Sequence, residues 1–141
     1  MVDSRQKGAR AEDAAKKILI SYTGHNWQRT PLSGALDEKH GLKGDLYIPD
    51  CKQRYCVEVK HYKDDHLTSK VLTSTKPQLI EWWEQTIREA GQVSRKPLLI
   101  FKFDRSKWFV ATEDFIDYAD HMYMNIKGHN FFVARLEEWL S

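Results

Sequence analysis

Apolar positions along the chain change their period several times, and each period predicts an element. From about Gly8 to Tyr22, residues Ala11, Ala14, Ala15, Ile18, Leu19 and Tyr22 recur at helical spacing, which predicts a helix with one buried stripe. Gly24 is placed to stop it. Residues 25–31 read as a short strand, and the segments Pro31-Leu-Ser-Gly-Ala and Lys39-His-Gly-Leu-Lys-Gly carry the turn chemistry of a loop, the kind of segment that often bears function. Between Gly44 and Lys60 two β-rich runs flank a polar turn and predict an antiparallel hairpin. If the turn is centred near Cys51 and Lys52, Asp45 stands opposite Glu58. Period-two alternation then puts Leu46, Ile48, Val57 and Val59 on an apolar face, and Asp45, Glu58 and Lys60 together on the other.

Further along, Thr75-Lys-Pro-Gln opens a second helix that is expected to run to about Ala90, before Gly91, with proline in its first turn. Leu79, Ile80, Trp83 and Ile87 form its expected buried stripe. Pro97–Phe103 and Lys107–Ala111 are predicted strands, the first so uniformly apolar that it belongs in the middle of a covered sheet. Thr112-Glu-Asp is read as opening a short helix, followed by strand-like patches at His121–Asn125 and Phe131–Val133 and a closing helical turn. This order implies an α/β fold: a mixed central sheet with the hairpin and the Leu98–Phe103 strand at its heart, covered by helices. No repeat or linker divides the 141 residues, so residues 1–141 are expected to form one domain.

Composition changes this picture little. A polar N-terminal segment and the absence of a long apolar run imply a soluble, unexported chain with no membrane partner. Two cysteines, Cys51 and Cys56, flank the hairpin turn and indicate neither a disulfide framework nor a four-ligand zinc site. The net charge is +2, but residues 1–76 hold 14 Lys/Arg against 10 Asp/Glu whereas residues 77–141 hold 8 against 10. The half with the opposed carboxylates could therefore face phosphates, although mixed charge is common on soluble domains.

Two carboxylates facing each other across a ladder repel, so a structural account must supply a cation, and Lys60 is one. A chemical account uses the same three groups further. Asp45 and Glu58 offer hard oxygens to Mg²⁺ with room for water and a phosphate oxygen. Lys60 could orient or deprotonate the attacking water, or neutralise charge developing on phosphorus. Phosphodiester hydrolysis needs such a set.

At these positions the chain resembles the PD-(D/E)xK nuclease superfamily, through Gly44-Asp45 and Glu58-Val59-Lys60. Pro49-Asp50 mimics the family name, but it lies at the hairpin turn, where Asp50 cannot oppose Glu58, and it is rejected as the ligand. Within the superfamily, about residues 1–90 are similar to archaeal-type Holliday-junction resolvases and their phage-encoded relatives. The resemblance implies a restriction-endonuclease-like fold and a third metal-site carboxylate at Glu12, in Arg5-Gln-Lys-Gly-Ala-Arg-Ala-Glu12. It also implies a role near the scissile phosphate for Ser33 in Ser33-Gly34, preceded by Arg29. A glutamine on the second helix should face the site, either Gln85 or its rival Gln78. The implied catalytic set is Glu12, Ser33, Asp45, Glu58 and Lys60. Glu12, Asp45 and Glu58 would hold Mg²⁺, for which Mn²⁺ can substitute, and Arg5, Lys7, Arg10, Arg29 and Lys63 would contact DNA. The chain departs from the pattern in a longer, more charged loop at Leu36–Lys43 and in its aromatic-rich C-terminal region.

The expectation is therefore an Mg²⁺-dependent, structure-selective endonuclease that resolves four-way or otherwise branched DNA in recombination and repair. It would work in the cytoplasm of a prokaryotic or phage-infected cell. Two strands must be cut, which implies a homodimer, with Phe131, Phe132, Trp139 and Leu140 as the expected surface. The alternatives are a nicking, mismatch or restriction-type nuclease of the same fold, or a catalytically inert DNA-binding module. His61 and His66 read as part of a solvated, phosphate-facing loop rather than a metal cluster. Of Trp82 and Trp83, which could stack bases, at least one is expected in the core.

Overall fold

The computed structural model describes residues 4–31, 43–49 and 51–141, with side chains from Gly8 onward. The side chains of Arg5 and Lys7, and all of Ser33 and Asp50, lie outside the described residues. The chain starts with α1 (Ser4–Thr23), the short strands β1 (Gln28–Arg29) and β2 (Leu46–Tyr47), and the long strand β3 (Tyr55–Tyr62). Helices α2 (Lys70–Thr73) and α3 (Gln78–Gln92) lead to β4 (Lys96–Phe103) and β5 (Phe109–Thr112). Strands β6 (His121–Ile126) and β7 (His129–Arg135) and helix α4 (Leu136–Leu140) follow. The strands form one seven-stranded sheet in the order β1-β2-β3-β4-β5-β7-β6. Only β3 and β4 run parallel, because the helical segment between them carries the chain back to the same end of the sheet. The fold is α/β with a mixed sheet, as expected, and β4, apolar and buried without interruption from Pro97 to Phe101, occupies its middle.

Both sheet faces are covered. Leu98 and Ile100 of β4 join Ala11, Ala15 and Leu19 of α1 in one core cluster, while Leu99, Phe101 and Phe103 join Leu79, Ile80, Trp82 and Trp83 of α3 in the other. A strand buried on both faces has no polar side to alternate with, which explains its composition. Both tryptophans are core: Trp83 is 1% exposed and Trp82 2%. Burying one such ring stabilises the fold by about 3 kcal/mol.

Several expectations are corrected. Tyr22 is exposed, and Trp27 fills that end of the core instead, its Nε1 donating to Thr23 Oγ1 at 3.0 Å. Helix α3 does not stop before Gly91 but runs through Gln92, and Ser94 takes the positive φ, 54°, that ends the turn. The four-residue α2 was not expected. No helix opens at Thr112; it is the last residue of β5, paired with Phe132, and its hydroxyl accepts the Asp114 N–H at 3.1 Å in a tight turn. A cap-like sequence here serves a bend. The two C-terminal patches form one hairpin, β6–β7, reversed at Lys127 and Gly128, whose φ values of 51° and 81° suit a two-residue turn. Phe131 lies in the α3-side core, 1% exposed, while Phe132, Trp139 and Leu140 pack against the α1-side core. That group is not the open apolar surface foreseen for a dimer.

Candidate active site

Leu46 pairs with Val57, the register expected for the hairpin. Three backbone features fix Asp45 there. Its N–H donates to Val57 O at 2.6 Å, the Val59 N–H donates to its Oδ2 at 2.8 Å, and Gly44 precedes it with φ 84°. A Cβ on Gly44 would stand 2.6 Å from Val57 O. Only glycine allows both the backbone conformation and the approach. Glu58 and Lys60 share a sheet face with their β4 neighbours Leu99 and Phe101, which belong to the α3-side core. Glu58 is 3% exposed, Lys60 half-buried. Glu12 of α1 lies close enough to Asp45 to feel its charge, and it is bound by Arg29 of β1, whose Nε donates to Glu12 Oε1 at 3.1 Å.

A residue not anticipated from sequence completes the cluster. Glu89 of α3 lies within hydrogen-bonding reach of the Glu58 carboxyl, which in turn reaches Asp45. Gln85, one turn earlier, donates from Nε2 to Glu89 Oε2 at 3.1 Å. Gln85 is therefore the helix glutamine at this site, whereas Gln78, at the start of α3, lines a separate cavity of about 420 Å³ with Asp64, Asp65 and Lys76. The signal for Glu89 was its i, i+4 spacing from Gln85, which puts both on one helix face.

Electrostatically the cluster is unbalanced. Burial, then the charges of Asp45 and Glu89, push the Glu58 carboxyl up to about 10 against the pull of Lys60. Burial also raises Asp45, opposed by the Val59 N–H and Lys60. Glu12 is raised by burial and by the Asp45 charge, with Arg29 opposing. Because Asp45 already accepts a backbone N–H, the proton resides on Glu58. The carboxyls turn toward one another, and among the described residues no three His, Cys, Asp or Glu side chains surround a common cation point. The donors nevertheless fit a hard divalent cation: they are all oxygen, anionic, and outnumber the cations beside them.

The remaining expected residues are dispersed. Arg10 is exposed on α1 and Lys63 just after β3. His61 lies within β3, its Nε2 2.9 Å from Asp104 Oδ1, while the His66 ring packs against Tyr62, Trp82 and Phe103 with centroids 6.0, 5.5 and 5.8 Å away. Cys51 and Cys56 are both free.

A mixed sheet carrying Asp immediately before one strand and Glu-x-Lys on the next defines a nuclease of the restriction-endonuclease-like kind, and the chain belongs to the family described as "Phage putative PDDEXK endonuclease", whose model matches residues 3–138. It is 41% identical to Protein D14 of Escherichia phage T5 over 148 aligned positions, covering 99% of this chain and 92% of that protein. No solved structure matches. The superfamily read from Asp45, Glu58 and Lys60 is thus the chain's own. Among the described residues, no helix is long and apolar enough to cross a membrane.

Proposed function

We propose that this chain is a divalent-cation-dependent, structure-selective DNA endonuclease that hydrolyses phosphodiesters in branched DNA, as a Holliday-junction resolvase does. The observation that supports it best is the convergence of Asp45, Glu58 and Lys60 on one sheet face in a member of an endonuclease family. Asp45, Glu58 and Glu12 would hold Mg²⁺, or Mn²⁺ in its place, with Glu89 as a further oxygen donor. When bound, such an ion polarises a phosphoryl oxygen and makes water more acidic. Lys60 orients the attacking water or offsets charge developing on phosphorus, and its half-buried position strengthens that field. Arg29 holds Glu12 toward the site, and Gln85 holds Glu89. Ser33 is assigned to the scissile phosphate, and Arg5, Lys7, Arg10 and Lys63, with Arg29, to the DNA backbone.

The reading includes one domain over residues 1–141, action in the cytoplasm of an infected cell during recombination or repair, and a homodimer whose two sites cut two strands. The test compares cleavage of a four-way junction with that of a linear duplex, with the products mapped. Paired, symmetric incisions near the branch point are expected. Equal cleavage of linear duplex would move the chain to a nicking, mismatch or restriction-type activity. Binding without any cation-dependent cleavage would identify an inert DNA-binding module.

A further inference from the structure

The two ends of the sheet differ. At one end β1 has only two residues, too few to template another strand. At the other, β6 is a six-residue strand that, among the described residues, pairs on one side only, with β7. Exposed edges are normally blunted by charge, proline or a bulge. His121-Met-Tyr-Met-Asn-Ile126 carries no Lys, Arg, Asp, Glu or Pro, in a chain of which 30% is charged.

Apolar surface continues on both faces of this edge. On the α3 side, Met122 (46% exposed) and Leu72 of α2 (76% exposed) border an open groove of about 540 Å³ between α2 and β6. On the other side, Tyr123 (57% exposed) and Phe115 (73% exposed) both pack on Phe132, with ring centroids 5.0 and 5.7 Å away. An added strand would find apolar partners above and below its backbone.

We infer that β6 is the homodimer interface, pairing antiparallel with β6 of a second copy so that two sheets become one. The charges flanking the strand favour a second copy over a foreign segment. Asp120 precedes β6 and Lys127 follows it, both exposed. Two-fold pairing centred on Tyr123 places Tyr123 against Tyr123, Met122 against Met124 and His121 against Asn125; at each end Asp120 then opposes Ile126, one residue diagonally from the oppositely charged Lys127 of the other copy. No like charges face one another. The Met122–Met124 pairs fall in the groove under Leu72, and the tyrosines meet beside Phe132. Four strand spacings, roughly 20 Å, separate β6 from β3, so neither cluster of carboxylates is covered.

The inference rests on the proposed nuclease reading for its purpose of joining two sites, but its test needs no DNA. The mass in solution of the full chain is measured for wild type, Tyr123→Lys and Tyr123→Glu, with Met122→Lys as a second edge variant and a thermal melt for each. Wild type should have the mass of two chains, each variant that of one chain with an unshifted melt. An equimolar mixture of Tyr123→Lys and Tyr123→Glu should return to two. A wild type that remains a single chain at the highest soluble concentration overturns the inference. So do folded edge variants that stay dimeric, or a mixture that fails to re-associate. A dimeric wild type that cuts no DNA leaves the interface standing and removes the nuclease reading alone.

Discussion

Two polar clusters, one around Asp114 and one around Glu58, lie on β3 and its neighbours, about three residues apart along the strands, and their charges are handled in opposite ways. At the start of β3 and β4, Asp114 accepts hydrogen bonds from Tyr55 Oη and from Lys96 Nζ at 2.7 Å, with Arg54 at 3.6 Å. Burial alone would raise its pKa, but the Lys96 and Tyr55 hydrogen bonds and the neighbouring cations outweigh it and hold the carboxyl below the usual range. Around Glu58, by contrast, burial and two further carboxylates prevail over a single lysine. The first cluster is complete within the chain. The second is left without cations to match its carboxyls, at a cost to the stability of the fold.

That contrast is broken most sharply by neutralising the second cluster. Asp45→Asn or Glu58→Gln should lower single-turnover cleavage about a thousandfold or more, the several kcal/mol that a bound ion contributes to such a step. In chelator the same variants should melt close to or above the wild-type temperature, because Asp45→Asn removes a charge from a buried acidic cluster and Glu58→Gln replaces a carboxyl that already carries a proton with a neutral group of the same shape. A large fall in melting temperature would instead make these carboxyls structural. Lys60→Ala should cost about a hundredfold or more in rate while junction affinity, spread over many phosphate contacts, changes little. Near-normal turnover would remove Lys60 from the mechanism.

The pH dependence of the cation-free protein separates the two clusters by sign. The folded pKa of Glu58, about 10, lies above its ordinary value of 4.5, so the folded state binds that proton more tightly. Its contribution is fully present below 4.5 and is lost as pH rises through the folded value. Asp114 is lowered below 3.8, so its contribution is present above 3.8 and lost as pH falls through the folded value. Melts across pH should show a wild-type decline on the alkaline side that Glu58→Gln flattens, and an acid-side loss that only Asp114→Asn reduces. At neutral pH, Asp114→Asn should cost about 1–2 kcal/mol by denaturant titration, after discounting its exposed ion pairs, with cleavage unchanged. The smallest effect is expected from Gln85→Ala. It frees Glu89 without touching Asp45 or Glu58, and should lower cleavage by less than about tenfold, roughly the 1 kcal/mol of one hydrogen bond.

The same contrast explains what could be read from sequence. Asp45, Glu58 and Lys60 were legible because a strand has a period of two, and a polar reversal centred near Cys51 leaves one register that buries Leu46 with Val57. Strand β4 was legible as central because no polar residue interrupts Leu98–Phe101. Glu89 was not, since a helix acid reads as solvated until the sheet it packs on is known to carry Glu58. The Thr112-Glu-Asp pattern misled because a hydroxyl that accepts a nearby N–H serves a turn as well as a helix cap. The apolar C-terminal residues could not be divided between core and surface until β7 was placed between β5 and β6. Phe131 then fell inside, and Met122 and Tyr123 at the edge.

The central claim, that the unbalanced carboxylates await a hard divalent cation, is tested most directly by measuring junction cleavage and junction binding separately in Mg²⁺, Mn²⁺, Ca²⁺ and chelator. Cleavage is predicted in Mg²⁺ and Mn²⁺. Binding with little cutting is predicted in Ca²⁺, whose larger radius and looser coordination align water and phosphate less strictly, and no cleavage in chelator. Full activity in chelator, or activity restored only by Zn²⁺, would contradict the account and turn attention from the carboxylates to His61 and His66.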